Sequence, residues 1–414
     1  MRSLATIVFL LLMPVAALFA RHRIVAPDVK SLTVVAGGDW LREPVVTLGS
    51  DDVVDIDFDK MSHAYSHYIA RIERCEPDWT PSTDLFETDW LEGINDIEID
   101  DYAKSLNTTV LYTHYHFTFP NEQCRVSMSG NYRIRIIDDD QPDEDVAIVE
   151  LRVVEPLMSV GLSVTTNTDA GLNTRYQQLA MTVGYNSLRV TRPDQQLHIE
   201  VTQNGRDDLC RRNPRPTFTR PTGLQWEHSS DLIFDALNEY HKFEVLDVTH
   251  PTMGLDRIYW DADSRTYHAY PLTVEPARNY VYDEDADGAF IIRNSDNVEI
   301  HTTSDYVWVH YRLQPARHYA DARVRIEGRW TTEHPSNYVM TYDPATSAYE
   351  AAILQKLGYY NYQLVLEDAA GAPFVLPEEG SFFQTENRYS AFVFYRADSD
   401  RTWRLVGYQQ KVFK

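Results

Sequence analysis

The sequence predicts an all-β protein of tandem immunoglobulin- or fibronectin-like β-sandwich domains. Three observations carry that expectation. Apolar and polar residues alternate over short runs, the period of a strand with one buried face; Asp305-Tyr306-Val307-Trp308-Val309-His310-Tyr311 is the clearest case. Turn-forming residues recur roughly every 8–12 positions, the spacing of sandwich strands. No stretch longer than about 12 residues shows the 3.6-residue apolar period of an amphipathic helix; 229–240 is the best helix candidate, and its pattern is mixed. Composition agrees: 26 tyrosines against 17 glycines suit pleated surfaces. A chain of 414 residues, 43% hydrophobic, has room for several cores.

The elements follow in order. Residues 1–20 read as a secretory signal peptide: Arg2, then an apolar run over 4–12, then small residues, with cleavage expected after Ala17 or Ala20. No cysteine follows either site, so a lipoprotein is not expected, and no later stretch approaches the ~20 apolar residues of a membrane span. The mature protein is expected to be exported, without membrane insertion of its own. A first β domain is expected over 24–155. There 32–35 and 45–48 are short β runs, Val54, Ile56 and Phe58 alternate with Val53, Asp55 and Asp57, and 132–137 and 147–154 close a hairpin around the acidic turn 138–145. Pro156 marks a border. A second sandwich region is expected over 157–300, with Asn204-Gly205 as a hairpin turn. A C-terminal sandwich is expected over 304–412.

The net charge of −24 excludes a basic nucleic-acid or anionic-lipid surface. Three cysteines, Cys75, Cys124 and Cys210, make no disulfide framework; Cys75 and Cys124 share a domain, and whether they pair stays open. Asp283, Asp285, Asp287 and Gly288 open like a calcium loop, but its twelfth position is Asn294, and a hairpin turn with Gly288 at positive φ accounts for the run better. His114 and His116 share a strand face, with no third ligand evident, so ordinary sheet histidines are the expectation. No nucleophile elbow, phosphate loop or dinucleotide fingerprint occurs, and no pair of carboxylates stands out. A non-enzymatic protein without catalytic residues, cofactor, metal or small-molecule substrate is therefore expected.

The richest stretch is 65–132. Strand patterns at 65–72 and 109–119 flank a loop, Cys75-Glu76-Pro77-Asp78-Trp79-Thr80-Pro81-Ser82. An exposed tryptophan stiffened by prolines suits a partner contact, because preorganisation lowers the entropy cost of docking. The runs C-x-x-D-W-x-P-S (Cys75, Asp78, Trp79, Pro81, Ser82), I-x-D-Y-x-x-S-x-N-T (Ile99, Asp101, Tyr102, Ser105, Asn107, Thr108), Y-T-H-Y (112–115), P-N (120–121) and S-G-N-Y (129–132) together resemble the plug protein family of the type IX secretion system of Bacteroidota. The resemblance continues through Q-N-G-R at 203–206, N-E-Y-H-K-F at 238–243, T-E-N-x-Y from Thr385 to Tyr389, and Arg401, Leu405 and Gly407. It departs at Cys210 with its following Arg/Pro-rich run, and at 355–358.

The resemblance implies a periplasmic plug subunit. Its partner is the giant outer-membrane β-barrel translocon, whose periplasmic opening it binds and seals when no substrate is present. Asp78, Trp79, Thr80, Pro81 and Ser82, with Asn107 of the neighbouring motif, are the expected partner-binding residues. The alternative from composition is a secreted carbohydrate-binding or adhesive multi-sandwich protein, using Trp79, Trp90, Tyr102, Tyr112, Tyr359, Tyr360 and Tyr362 as a stacking platform. That reading requires an exposed coplanar aromatic row.

Overall fold

Alternation in the sequence becomes strands, and burial decides which face of each turns inward. The computed structural model describes residues 22–414; the signal peptide expected over 1–20 lies outside them. In Val54–Lys60, Val54, Ile56 and Phe58 enter a core while Asp55, Asp57 and Asp59 share the opposite face. That second face is polar and yet largely covered, because another domain packs on it.

The first sandwich has two sheets. One runs in the order Arg23–Ile24, Gln141–Val154, Gly130–Asp138, Tyr68–Cys75, Ile97–Ile99, with Val45–Thr47 parallel to Gln141–Val154. The other runs Val29–Ala36, Val54–Lys60, Thr113–Phe119, Asp101–Lys104. Phe58, Tyr68, Tyr115 and Tyr132 fill the space between them, Phe58 stacking on Tyr115 with ring centres 5.3 Å apart. The expected hairpin over the acidic turn forms from Gly130–Asp138 and Gln141–Val154.

Beyond this sandwich, strand pairing departs from the consecutive regions 157–300 and 304–412. The strand Asn387–Tyr395 pairs along its length with Leu197–Gln203, from Leu197 opposite Tyr395 to Gln203 opposite Tyr389. Arg404–Phe413 then pairs with Asn387–Tyr395. Tyr389, Val393 and Val406 share one core with Ile199, Val201 and Trp226. The C-terminal hairpin therefore completes the second sandwich. A third sandwich, built from strands between His241–Val245 and Pro373–Val375, is inserted in it. Its sheet turns a corner at Val339–Asp343, whose first residues pair with Arg323–Glu327 and whose last pair with Ala348–Lys356. Alternation marks a strand but not the sheet it joins, so the insertion is a product of long-range pairing.

Local expectations fared unequally. Asn204 and Gly205 both take positive φ (54° and 67°) between Leu197–Gln203 and Arg206–Arg212, as a tight hairpin requires. The helix candidate 229–240 gives only a 3₁₀ turn, Ser230–Leu232, and then the strand Ile233–Asp235. Pairing with Tyr176–Gly184 and burial of Phe234 override its weak periodicity.

Candidate functional site

The two motif segments of the first sandwich are clasps, each closing on a different domain. The loop after Tyr68–Cys75 leans on the C-terminal hairpin. Arg74, fully buried, donates to the Ser129 carbonyl (2.9 Å), to Ser82 Oγ (3.0 Å), to Thr402 Oγ1 and to the Trp403 carbonyl. Thr402 Oγ1 donates in turn to Glu76 Oε1 at 2.7 Å. Outside this joint Arg401 pairs with Asp89 at 2.8 Å. An Asx turn shapes the loop tip: Asp78 Oδ1 accepts from the Thr80 amide (3.1 Å) and hydroxyl (2.6 Å).

Trp79 is the main correction. It is 6% exposed and sits at φ 65°, so it is not a docking anchor on the surface. Its carbonyl accepts from Arg133 at 3.0 Å, and its ring lies 5.5 Å from the Arg152 guanidinium. Arg152 also stacks over Phe392 at 3.8 Å and pairs with Glu200 at 2.7 Å, both from the second sandwich. Asp78, Thr80 and Pro81 remain exposed around it and Ser82 is half-buried.

Asn107 lies in the other clasp, which closes on the third sandwich while the Asp78–Ser82 loop lies at the second. It is exposed, at φ 58°, between the exposed Leu106 and Leu111. The Leu106 amide donates to the Thr302 carbonyl (2.8 Å), and the Thr109 and Val110 amides donate to the Asp305 carboxylate (2.7 and 3.1 Å). Behind them is a buried charge network. Lys356 Nζ meets Asp59 Oδ2 at 2.6 Å and Tyr306 donates to the same oxygen at 2.7 Å. His114 Nδ1 faces Asp59 Oδ1 at 2.8 Å, its Nε2 faces Asp57 Oδ1 at 3.2 Å, and His116 Nδ1 faces Asp57 Oδ1 at 2.9 Å. Burial would raise the Asp57 and Asp59 carboxyls, but these partners hold both below the ordinary range. Burial also opposes charge on His114, yet the two carboxylates raise its affinity for a proton.

The remaining motif residues pin the passage of the chain into and out of the inserted sandwich. Asn387 Nδ2 donates to the Ala236 carbonyl (2.7 Å) and to Gln177 (3.1 Å), and Asn204 donates to Asn387 Oδ1 (2.9 Å). Gln363 joins Arg206 (3.2 Å) to the Asn238 carbonyl (2.6 Å). Where the three sandwiches meet, a cavity of about 150 Å³ is lined by Glu150, Arg152, Asp207, Phe290 and Arg329. Burial pushes the Glu150 carboxyl up to about 7 despite Arg133 at 3.1 Å.

The other sequence candidates resolve as follows. Gly288 takes positive φ (80°), in a long loop rather than a hairpin turn. The carboxylates around it have partners: Asp283 binds Lys242 (2.6 Å), Asp287 binds Arg388 (3.1 Å), and Asp285 accepts from the Asp287 and Tyr240 amides. Cys75, Cys124 and Cys210 are free thiols, each pushed up to about 12 by burial. Trp79, Trp90, Tyr112, Tyr360 and Tyr362 are buried and cannot form a stacking platform. The aromatic group on the third sandwich, Tyr259, His268, His310 and Tyr270, is stacked face on face at 4.5–5.8 Å, so its rings cover one another. Sequence reading missed Arg74, Arg152, Asp59 and Lys356; the D-x-D-x-D and H-x-H alternations at 55–59 and 114–116 were the available signal for part of that set.

These features define a multi-sandwich protein with buried polar contacts between its domains. Residues 29–155 match the model of the type 9 secretion system plug protein 1st domain. A crystal structure of a hypothetical protein from Parabacteroides merdae is 30% identical over 95% of this chain and 99% of that one, with a TM-score of 0.91. The chain belongs to the type 9 secretion system plug protein family, and so to a component of that secretion system. A solved structure of E. coli alpha-2-macroglobulin, 10% identical over 95% of this chain and 23% of that one with a TM-score of 0.17, bears on neither fold nor function. No curated protein matches the chain. Among the described residues no helix is long and apolar enough to cross a membrane.

Proposed function

We propose that this chain is the periplasmic plug subunit of the type IX translocon. It binds the periplasmic opening of the outer-membrane β-barrel and seals it when no substrate is present, without catalysing a reaction. The observation that carries this reading is the clasping of three sandwiches into one body by buried polar joints, one at the motif residue Asn387 and the others beside the motif segments of the first sandwich. A stopper needs bulk and stiffness, and an interface that substrate arrival can undo. The 106–111 turn, with Leu106, Asn107 and Leu111 exposed on the edge of the Asp101–Lys104 hairpin, supplies a small apolar contact. The exposed Asp78, Thr80 and Pro81 supply a polar one.

The test is affinity capture of the tagged mature protein from detergent-solubilised outer membrane of its own host, with Leu106→Asp and Thr80→Asp variants beside it. Recovery of one giant β-barrel protein in near-equal amount, reduced by either variant, supports the reading. Recovery of no such barrel refutes it.

A further inference from the structure

The buried network between the first and third sandwiches contains the parts of a metal site. One ligand atom each from Asp57, His114 and His301 lies within 4.8 Å of the others. His114 Nε2 and Asp57 Oδ1 are 3.2 Å apart, close to the roughly 3.3 Å edge of a tetrahedron with metal–ligand bonds of about 2.0 Å. The other nitrogen of His114, Nδ1, faces Asp59 at 2.8 Å, and Asp59 is itself held by Lys356 and Tyr306. A carboxylate on the far nitrogen is how a metal-binding imidazole is oriented and made more basic. Asp57 is steadied by Thr33, which donates to Oδ2 at 3.1 Å. His301 is exposed on the short helix Ile300–Thr303, its ring 4.6 Å from that of His114, and it closes the set by turning its side chain.

We propose that Asp57, His114 and His301 bind one Zn²⁺, with water in the fourth position, as a clamp between the first and third sandwiches. Two imidazoles and a carboxylate are a donor set that suits zinc. Zn²⁺ takes the lone pair of His114 Nε2, any proton there leaving to solvent, while Nδ1 keeps its contact with Asp59. The first two ligands come from neighbouring strands of one sheet and the third from the inserted domain, so the ion adds a tie between them.

The experiment uses untagged mature protein stripped with chelator. Titration calorimetry with Zn²⁺ in buffers of different ionisation enthalpy reads stoichiometry and proton release; Co²⁺ absorbance reads the geometry. One Zn²⁺ per chain and a tetrahedral cobalt spectrum are expected. His301→Ala, at an exposed position, is expected to weaken Zn²⁺ affinity at least about 10-fold while the metal-free protein melts as before. Failure to bind at micromolar Zn²⁺, or equal affinity in His301→Ala, overturns the site. His63→Ala, outside the cluster, serves as the control that is expected to bind like the parent.

Discussion

The two clasps of the first sandwich solve the same problem with different chemistry. Toward the second sandwich the joint centres on an apolar seam, Val45 and Val154 against Phe392, Phe394 and Leu405, edged by Arg74, which donates to the Thr402 hydroxyl and the Trp403 carbonyl, and by the single Arg152–Glu200 pair. Toward the third sandwich it is dense in formal charge: Asp57, Asp59, His114 and Lys356, with Asp305 beside them. An apolar seam tolerates the loss of one contact, because what remains still excludes water. A buried charge network does not, because removing one partner strands the other in a medium that solvates it poorly.

That difference can be broken directly. Lys356→Met leaves Asp59 short of its cation and is expected to cost about 3–5 kcal/mol of unfolding free energy. Lys356→Met combined with Asp59→Asn is expected to recover much of the loss. Denaturant titration of the two variants reads both numbers; a single variant as stable as the parent would mean the network carries little. Trp79→Ala tests the other joint. It removes a buried ring beside Arg152 and is expected to cost about 3–4 kcal/mol, where an exposed docking residue would cost almost nothing.

A pH series sharpens the comparison at the cavity between the domains. The Glu150 carboxyl titrates at about 7 in the folded protein against an ordinary value of 4.5. Between those values the folded state holds more protons than the unfolded state, so this group makes stability fall as pH rises through that window. The effect is on the order of 3 kcal/mol. Glu150→Gln is expected to flatten the slope between pH 5 and 8, and an unchanged slope would assign it elsewhere. The smallest effect is expected at Asn107→Gly: the backbone is already left-handed and the side chain exposed, so stability should move by less than about 0.5 kcal/mol. Any loss of barrel capture by that variant is then a binding effect.

Much of the first sandwich was legible in the sequence. Period-two alternation at 54–60 and 113–119, and the hairpin over 138–145, are local signals, and local sterics and burial decide them. The family motifs were legible as a pattern, but their role was not. Trp79 follows two residues after a proline and precedes a second, a context that suits an exposed turn; it is buried beside Arg152, which itself stacks on Phe392 of the second sandwich. Asp59 and Lys356 are 297 residues apart, and nothing local links them.

The sequence by itself determined the strands, the Asn204-Gly205 turn and the family, because side-chain alternation, φ preference and motif spacing are properties of neighbouring residues. The tertiary structure alone decided that the C-terminal hairpin closes the second sandwich around an inserted third, and that the Asp-His ladder of one strand pair faces a lysine from another domain. Those outcomes depend on which exposed edge and which polar face meet. That choice is made by the summed burial and pairing of segments far apart in the chain, and no short window of sequence contains it.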